Sequence, residues 1–140
     1  MTLKVSKAEV WTAAIVDRTG GAAEKIEPLT RAGANFEFVF ARRTPESPGQ
    51  GLCLVAPVKG KKVQAAALAA GFTRAAEISA LRVEGGNKAG SAARMTRALA
   101  DAGLSFRGLS AAAIGNKFVG YVAFDSAADA ERAAKVLRKV

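Results

Sequence analysis

The segment Asp17-Arg18-Thr19-Gly20-Gly21 combines charged and hydroxyl side chains with a glycine pair, just ahead of a helical pattern. A glycine pair that opens a helix leaves backbone N–H groups exposed at the positive end of the helix dipole, which suits a carboxylate. Asp17 could then face an ammonium group, and Asn35 could supply both a donor and an acceptor. An amino acid carries both charges. The first candidate ligand site therefore comprises Asp17, Arg18, Thr19, Gly20, Gly21 and Asn35.

The same residues also have a purely structural interpretation. In it, Asp17 and Thr19 cap the helix, the two glycines make the turn, and Asn35 satisfies local backbone groups. Both interpretations stay open at the level of the sequence.

A second glycine-rich loop, Glu84-Gly85-Gly86-Asn87-Lys88-Ala89-Gly90, precedes the second helical pattern. Its glycines leave the backbone flexible enough to contact an anion. Asn87, Lys88, Ala89 and Gly90 form the second candidate site. Ser105 stands where Asn35 stands in the first copy, so the two sites differ in one of their polar groups.

The sequence contains few candidate catalytic residues. The chain has no histidine, which removes the commonest general base and the commonest transition-metal ligand. The single cysteine, Cys53, lies in an apolar run and is predicted to be a buried, inert thiol. Asp17, Glu24 and Glu27 supply carboxylates, but no activated nucleophile or acid–base pair is recognisable by spacing. We therefore expect a non-enzymatic protein without a metal or cofactor.

An internal repeat organises the chain. The segment 29–36 (LTRAGANF) aligns with the segment 99–106 (LADAGLSF), so that Leu29 corresponds to Leu99 and Phe36 to Phe106. Farther along, Leu52 and Leu54 match Val119 and Tyr121 at an offset of 67, and upstream Val16 matches Val83 at that same offset. These offsets predict repeats at residues 1–71 and 72–140, with about three extra residues in the first loop of the second copy.

Each copy has the pattern of a βαββα unit, with residues left for a fourth strand. An extended apolar run, Val10–Val16 or Ile78–Val83, precedes a helix in which apolar residues recur at the helical period. Gly33 and Gly103 are predicted C-caps, and Pro28 is expected to kink or shorten the first helix. Two strands and a second helix follow, which predicts an α+β fold of ferredoxin-like repeats.

The second copy ends in its helix, so another segment must provide its fourth strand. Thr2–Ser6 precedes the first strand of one copy as Thr73–Glu77 precedes that of the other. In the ferredoxin-like order the fourth strand lies antiparallel beside the first. We therefore expect Thr73–Glu77 to pair with Val10–Val16, and Thr2–Ser6 with Ile78–Val83. The copies would share one continuous antiparallel sheet with all four helices on one face.

The first loop and the start of the second strand resemble the ACT domain. Asp17-Arg18-Thr19-Gly20 is similar to that family's Asp-Arg-Pro-Gly, with Thr19 in place of proline, and Ala32–Phe36 is similar to its Ala-Gly-x-Asn-Ile. The resemblance implies a regulatory module in which amino-acid binding biases how copies or subunits pack. It further implies a separate biosynthetic enzyme as partner and a homodimer formed through the sheet edge or a helix face.

An RNA-binding alternative comes from the second copy. Residues 117–124 followed by 125–130 resemble the third strand and following helix of an RNA recognition motif. That module stacks bases on aromatic side chains at three positions of its sheet. Here Tyr121 is aromatic, whereas Val119 and Arg82 hold the other two stacking positions. The net charge of +9 favours an anionic partner. We keep RNA binding as the alternative and expect only weak, charge-driven binding, without a specific nucleic-acid partner.

The composition is that of a packed globular protein, with 50% apolar and 24% charged residues. The apolar stretches 10–16, 52–58 and 63–72 are each shorter than a bilayer requires, and the N-terminus lacks a hydrophobic signal core. With a single cysteine, the chain forms no internal disulfide. These features predict a cytoplasmic protein with no membrane partner.

Overall fold

The computed structural model describes residues 2–140, which form eight β-strands and four α-helices. In chain order the elements are β1 (Lys4–Ala8), β2 (Trp11–Val16), α1 (Gly21–Arg31), β3 (Phe38–Arg43), β4 (Gln50–Ala56), α2 (Lys61–Ala69), β5 (Thr73–Arg74), β6 (Ser79–Gly86), α3 (Ser91–Asp101), β7 (Gly108–Ile114), β8 (Lys117–Phe124) and α4 (Ala127–Leu137). The chain divides into two compact units. One is Glu9–Ala75, and the other comprises the residues up to Ala8 together with Ala76–Val140.

Each unit contains a four-stranded antiparallel sheet, as predicted. The strand order is β3-β4-β2-β5 in the unit 9–75 and β1-β6-β8-β7 in the other unit. Thr12 pairs with Thr73, and Ser6 pairs with Arg82, both in antiparallel ladders. Each repeat therefore supplies the fourth strand to the sheet of the other repeat, and the predicted strand exchange is confirmed.

The prediction of one continuous sheet is wrong, because the ladders form two separate sheets. Strand β5 stops at Arg74, and a turn at Ala76 and Glu77 interrupts the chain before β6 begins. Within this turn, the Glu77 carbonyl accepts a hydrogen bond from Arg107 Nη1 at 3.2 Å. Backbone groups in a turn conformation cannot extend a ladder, so no strand runs through both sheets.

Two helices cover one face of each sheet. In the unit 9–75, Trp11 and Ala13 of β2 and Cys53 and Val55 of β4 are buried in one cluster with Leu29 of α1. Because side chains alternate along a strand, these residues share the face that meets the helices. The other unit has the equivalent cluster, which includes Leu81, Val83, Leu99, Val122 and Leu137. Full burial of such side chains contributes about 1.5–3 kcal/mol each to stability.

The strand registers show that the extra residues do not lie in the first loop of the second copy, where the sequence predicts them. Trp11 pairs with Val55 and Leu81 with Val122, so the offset in numbering is 70 between β2 and β6 but 67 between β4 and β8. Val16 therefore corresponds to Gly86, and its predicted match with Val83 is wrong. Matching Val16 with the buried Val83 would assign Val16, which is exposed, to the buried face of the sheet. The extra residues lie in the first copy, in the loop between β3 and β4.

The helix ends agree with the sequence, and Pro28 does not shorten α1. The Ala34 N–H donates to the Leu29 carbonyl at 2.9 Å, which closes α1 at Gly33 in a Schellman motif. Helices α1 and α3 each span 11 residues, so the expected shortening at Pro28 is wrong. Pro28 removes one hydrogen bond near the end of α1, where the neighbouring Leu29 is fully buried and holds the last turn.

Candidate functional site

The first loop is built around two glycines between β2 and α1. Gly20 is the N-cap residue and has a left-handed φ of 85°. A Cβ on Gly21 would collide with the Val16 carbonyl oxygen, so only glycine fits there. The Gly21 N–H donates to the Arg18 carbonyl at 3.0 Å, which closes the turn. Close backbone approach therefore fixes how α1 begins.

The helix that follows has no side-chain cap. Within residues 2–140, the N–H groups of Ala22 and Ala23 donate no hydrogen bond. The interpretation that Asp17 or Thr19 caps this helix is therefore wrong. Two donors at the positive end of α1 stay open to solvent or to a ligand.

Asp17 is engaged by a neighbouring strand. Arg43 Nε, at the end of β3, donates to the two carboxylate oxygens of Asp17 at 2.9 and 3.2 Å. Arg18, the next residue, forms an ion pair with Glu24 of α1. The acid predicted to face an ammonium group thus already has a cationic partner, and the loop holds two ion pairs of balanced charge.

Asn35 lies at the opposite end of the repeat. Strands β2 and β3 both run antiparallel to β4, so they are parallel to each other. Asp17 follows the last residue of β2, whereas Asn35 precedes the first residue of β3. Helix α1 separates the two positions by 11 residues, about 16 Å. The first repeat therefore brings Asp17, Arg18, Thr19, Gly20 and Gly21 together and leaves Asn35 at the far end of α1.

The second loop repeats the geometry of the first. The Asn87 N–H donates to the Asn116 carbonyl at 2.9 Å, as the Asp17 N–H donates to the Gly49 carbonyl at 3.0 Å. Gly90, the N-cap of α3, has a left-handed φ of 86°. Here too, within the described residues, the N–H groups of the second and third helix positions, Ala92 and Ala93, have no protein acceptor. The two loops are structurally equivalent, with Asn87 in the position of Asp17 and Gly90 in that of Gly20.

A groove of about 300 Å³ opens beside this second loop. Its polar rim comes from Asn87, Lys88 and Ser91. Its apolar lining includes Met95 of α3, Leu109 of β7 and Phe118 of β8. Met95 and Phe118 are buried, whereas Leu109 is exposed on the edge strand.

One strand position on the open side of this groove differs between the repeats. Ala113 of β7 lies opposite Phe118 of β8. In the first repeat, Arg43 of β3 holds the equivalent position, opposite Gly51 of β4. The long Arg43 side chain reaches Asp17, while the small Ala113 lines the groove. The sequence indicated the loop residues of the second site. It did not indicate the apolar wall, which required the register of β7 to be known.

The side chains of the RNA alternative are placed unfavourably for stacking. Tyr121 is only 8% exposed, so its ring offers no open face to a base. Arg82 Nη1 donates to Glu84 Oε2 at 2.9 Å, and this hydrogen bond, with the charge of Arg82, lowers the pKa of Glu84. The platform of an RNA recognition motif is therefore not formed by these residues.

Cys53 is fully buried, as predicted, and burial raises the pKa of its thiol. Among residues 2–140, no group of three or more histidine, cysteine or acidic side chains is placed to hold a metal ion. Over that same part of the chain, no helix has the length and apolar character needed to cross a membrane.

The exchanged strands, the paired helices and the two equivalent loops define a tandem pair of ferredoxin-like repeats. Among solved structures, the ligand-free regulatory subunit of aspartate kinase from Thermus thermophilus is similar, with a TM-score of 0.66 and 17% identity over 99% of this chain and 96% of that chain. The corresponding subunit from Thermus flavus has a TM-score of 0.62, 18% identity and coverages of 99% and 96%. Protein BT0572 from Bacteroides thetaiotaomicron has a TM-score of 0.77 and 14% identity, with coverages of 96% and 89%. No protein-family model and no curated protein sequence matches the chain. At these identities the shared property is the fold.

Proposed function

We propose that this protein is a regulatory module that binds an amino acid in the groove beside the second loop. The observation that carries the proposal is the groove itself, where the donors of a helix N-terminus meet an apolar floor in about 300 Å³. Small-molecule sites commonly combine an apolar lining with a few convergent polar groups at such volumes.

The chemistry of the lining favours an amino acid with an apolar side chain. Its carboxylate would accept hydrogen bonds from the Ala92 and Ala93 N–H groups and face the Lys88 ammonium. Its ammonium group would donate to Asn87 Oδ1, and its side chain would lie on Met95. A free carboxylic acid without the amino group would bind less tightly, because the Asn87 oxygen would lose its partner.

The first loop is proposed as a second, weaker site. There Arg43 and Asp17 form an ion pair whose two charges match those of a zwitterion. An amino acid would bind by replacing the contact between them, with its carboxylate at Arg43 and its ammonium group at Asp17. Asn35 would reach such a ligand only from a second copy of the chain, since it lies at the far end of α1.

We further propose that the protein regulates a separate enzyme and is not itself catalytic. Support comes from the fold shared with structures named as regulatory subunits of aspartate kinase. Strand β7 is a sheet edge and also a wall of the groove. A second copy that paired along β7 would close the open side of the groove. Ligand binding would then favour the dimer by the difference in affinity between the two states.

A thermal-shift screen of the twenty amino acids at millimolar concentration tests this function. A ligand at about one hundred times its dissociation constant stabilises a folded protein by about 2.7 kcal/mol, which raises Tm by several degrees. Ala111→Trp should fill the groove and remove most of the shift, leaving only the small part that the weaker first site contributes. Ala41→Trp, at the equivalent position of the first repeat, is the matched control and should keep it. The absence of any shift, or its equal loss in both variants, would contradict the proposal.

A further inference from the structure

A second groove lies between helices α3 and α4 and has a volume of about 800 Å³. Its floor is apolar and is formed by small and branched side chains: Ala93, Ala98, Val136 and Val140. Val136 and Val140 also pack against the core of this unit. The groove follows α3, whose 11 residues span about 16 Å, or three turns.

The rim of this groove is strongly basic. Four cations line it, namely Arg94, Arg97, Lys135 and Lys139, against one acid, Asp101. Asp101 is paired with Arg97 at 3.1 Å, so the side chains of the lining keep a net three positive charges. The Arg94 guanidinium donates to the Ala89 carbonyl and to Ser91 Oγ, both at 3.3 Å. These neutral acceptors hold Arg94 in place and leave its charge uncompensated.

The first repeat shows that the fold does not require this charge. In the alignment of α3 with α1, Arg94 and Arg97 correspond to Glu24 and Glu27. Lys135 corresponds at an offset of 67 to Leu68 of α2, which is 60% exposed. The basic rim therefore belongs to the second repeat alone, where it surrounds an apolar floor.

We propose that the groove between α3 and α4 binds an acidic amphipathic helix of a partner protein. Such a helix would place apolar side chains at i, i+4 and i+7 on the floor, and Asp or Glu side chains beside the four cations. About three turns would match the length of α3. A nucleic acid would satisfy the rim but would leave the apolar floor uncovered, and the lining has no aromatic ring for a base. The proposal is independent of amino-acid binding.

The probe is a labelled helical peptide of about three turns, with Leu at i, i+4 and i+7 and Glu at the flanking positions. Fluorescence anisotropy with the full chain measures its affinity. Lys135→Glu combined with Lys139→Glu should weaken binding by at least about tenfold, because two attractive contacts become repulsive. The matched control, Lys61→Glu combined with Lys62→Glu on α2, changes the net charge equally and should have less than about a threefold effect. Circular dichroism confirms that each variant is folded.

A second variant tests the floor independently of the rim. Ala93 is exposed, so Ala93→Glu places a carboxylate at the apolar floor without disturbing the core. Since Ala93 also lines the groove beside the second loop, peptide binding is measured in the absence of amino acids. Ala93→Glu should abolish peptide binding, whereas a peptide with its three Leu changed to Ser should bind neither protein. Equal weakening by both Lys pairs, or retention of binding by Ala93→Glu, would show that net charge alone attracts the peptide and would overturn the proposal. The proposal would also be overturned if the peptide fails to bind and the protein instead binds single-stranded RNA or phosphatidylserine vesicles in a way that is lost in the Lys135→Glu, Lys139→Glu variant.

Discussion

Deletion of residues 2–7, with Met1 retained, should destabilise the unit that contains α3 and α4 and leave the unit 9–75 largely unchanged. Strand β1 pairs with β6 from Lys4 to Ala8, and it lies at the edge of that sheet. Leu3 and Val5 pack against the core cluster of the same unit. Arg138 Nη2 also donates to the Val5 carbonyl at 3.0 Å, which ties the end of α4 to this strand.

The magnitude follows from these contacts. Two partly buried side chains contribute about 1 kcal/mol each, and the ladder hydrogen bonds add a net contribution of about 0.5–1.5 kcal/mol each after exchange with water, part of which is offset by the entropy of ordering the strand. The expected loss is about 3–4 kcal/mol, a large part of the stability of a small domain. Since 1.4 kcal/mol corresponds to a factor of ten, amides of β6, β8 and α4 should exchange about 10²–10³ times faster.

Hydrogen exchange resolved by mass spectrometry measures both units in one experiment. Peptides from β2, β4 and α1 serve as the internal reference. These elements belong to the unit 9–75, and β1 does not pair with a strand of its sheet. Equal acceleration in both units would mean that they unfold as one cooperative body. Unchanged protection in β6 and β8 would mean that β1 adds little to its sheet. Either result would refute the reasoning from strand exchange.

Three further predictions concern single side chains. Gly21→Ala should lower the free energy of unfolding by about 2–4 kcal/mol in urea denaturation, since its Cβ would clash with the Val16 carbonyl, whereas Ala23→Ser should be near neutral. The Arg82 pair lowers the folded pKa of Glu84 from 4.5, so its stabilisation is present above that unfolded value and is lost as pH falls through the folded pKa. The Tm difference between the wild type and Glu84→Gln should therefore shrink below about pH 4.5, and a constant difference would exclude an ionic origin. Cys53 should react with a thiol reagent only at the rate of unfolding, and rapid labelling of the native protein would contradict its burial.

The fold was largely predictable because its determinants are local and repeated. Apolar periodicity located the helices, and the equivalence of Thr2–Ser6 with Thr73–Glu77 predicted the exchanged strands. The interruption of the sheet was not predictable from the same pattern. Residues 75–78 contain neither glycine nor proline, so the turn at Ala76 and Glu77 carries no local signal. The match between Val16 and Val83 likewise compared apolar residues without knowing which face each occupies.

The candidate site was predictable only in its loops. Glycine and charge patterns located Asp17–Gly21 and Asn87–Gly90, whose backbone geometry depends on nearby residues. The wall of the groove depends on which residue of β7 lies opposite Phe118, and that register is a long-range property. The sequence pattern places Asn35 in the same predicted site as the first loop, but α1 separates them, because spacing along a sequence does not give distance across a helix.

The two repeats share one order of strands and helices, and several of their differences lie on exposed surfaces. Arg43 closes on Asp17 in the first repeat, while Ala113 leaves a groove beside Asn87 in the second. Acidic Glu24 and Glu27 on α1 become Arg94 and Arg97 on α3. None of these four differences lies in a buried core, so packing does not require them. Since surface substitutions of this kind cost little stability, a duplicated chain can change them freely in one copy. Both open grooves described above belong to the second repeat. The first repeat supplies β1, an edge strand of the sheet in the unit that holds both grooves.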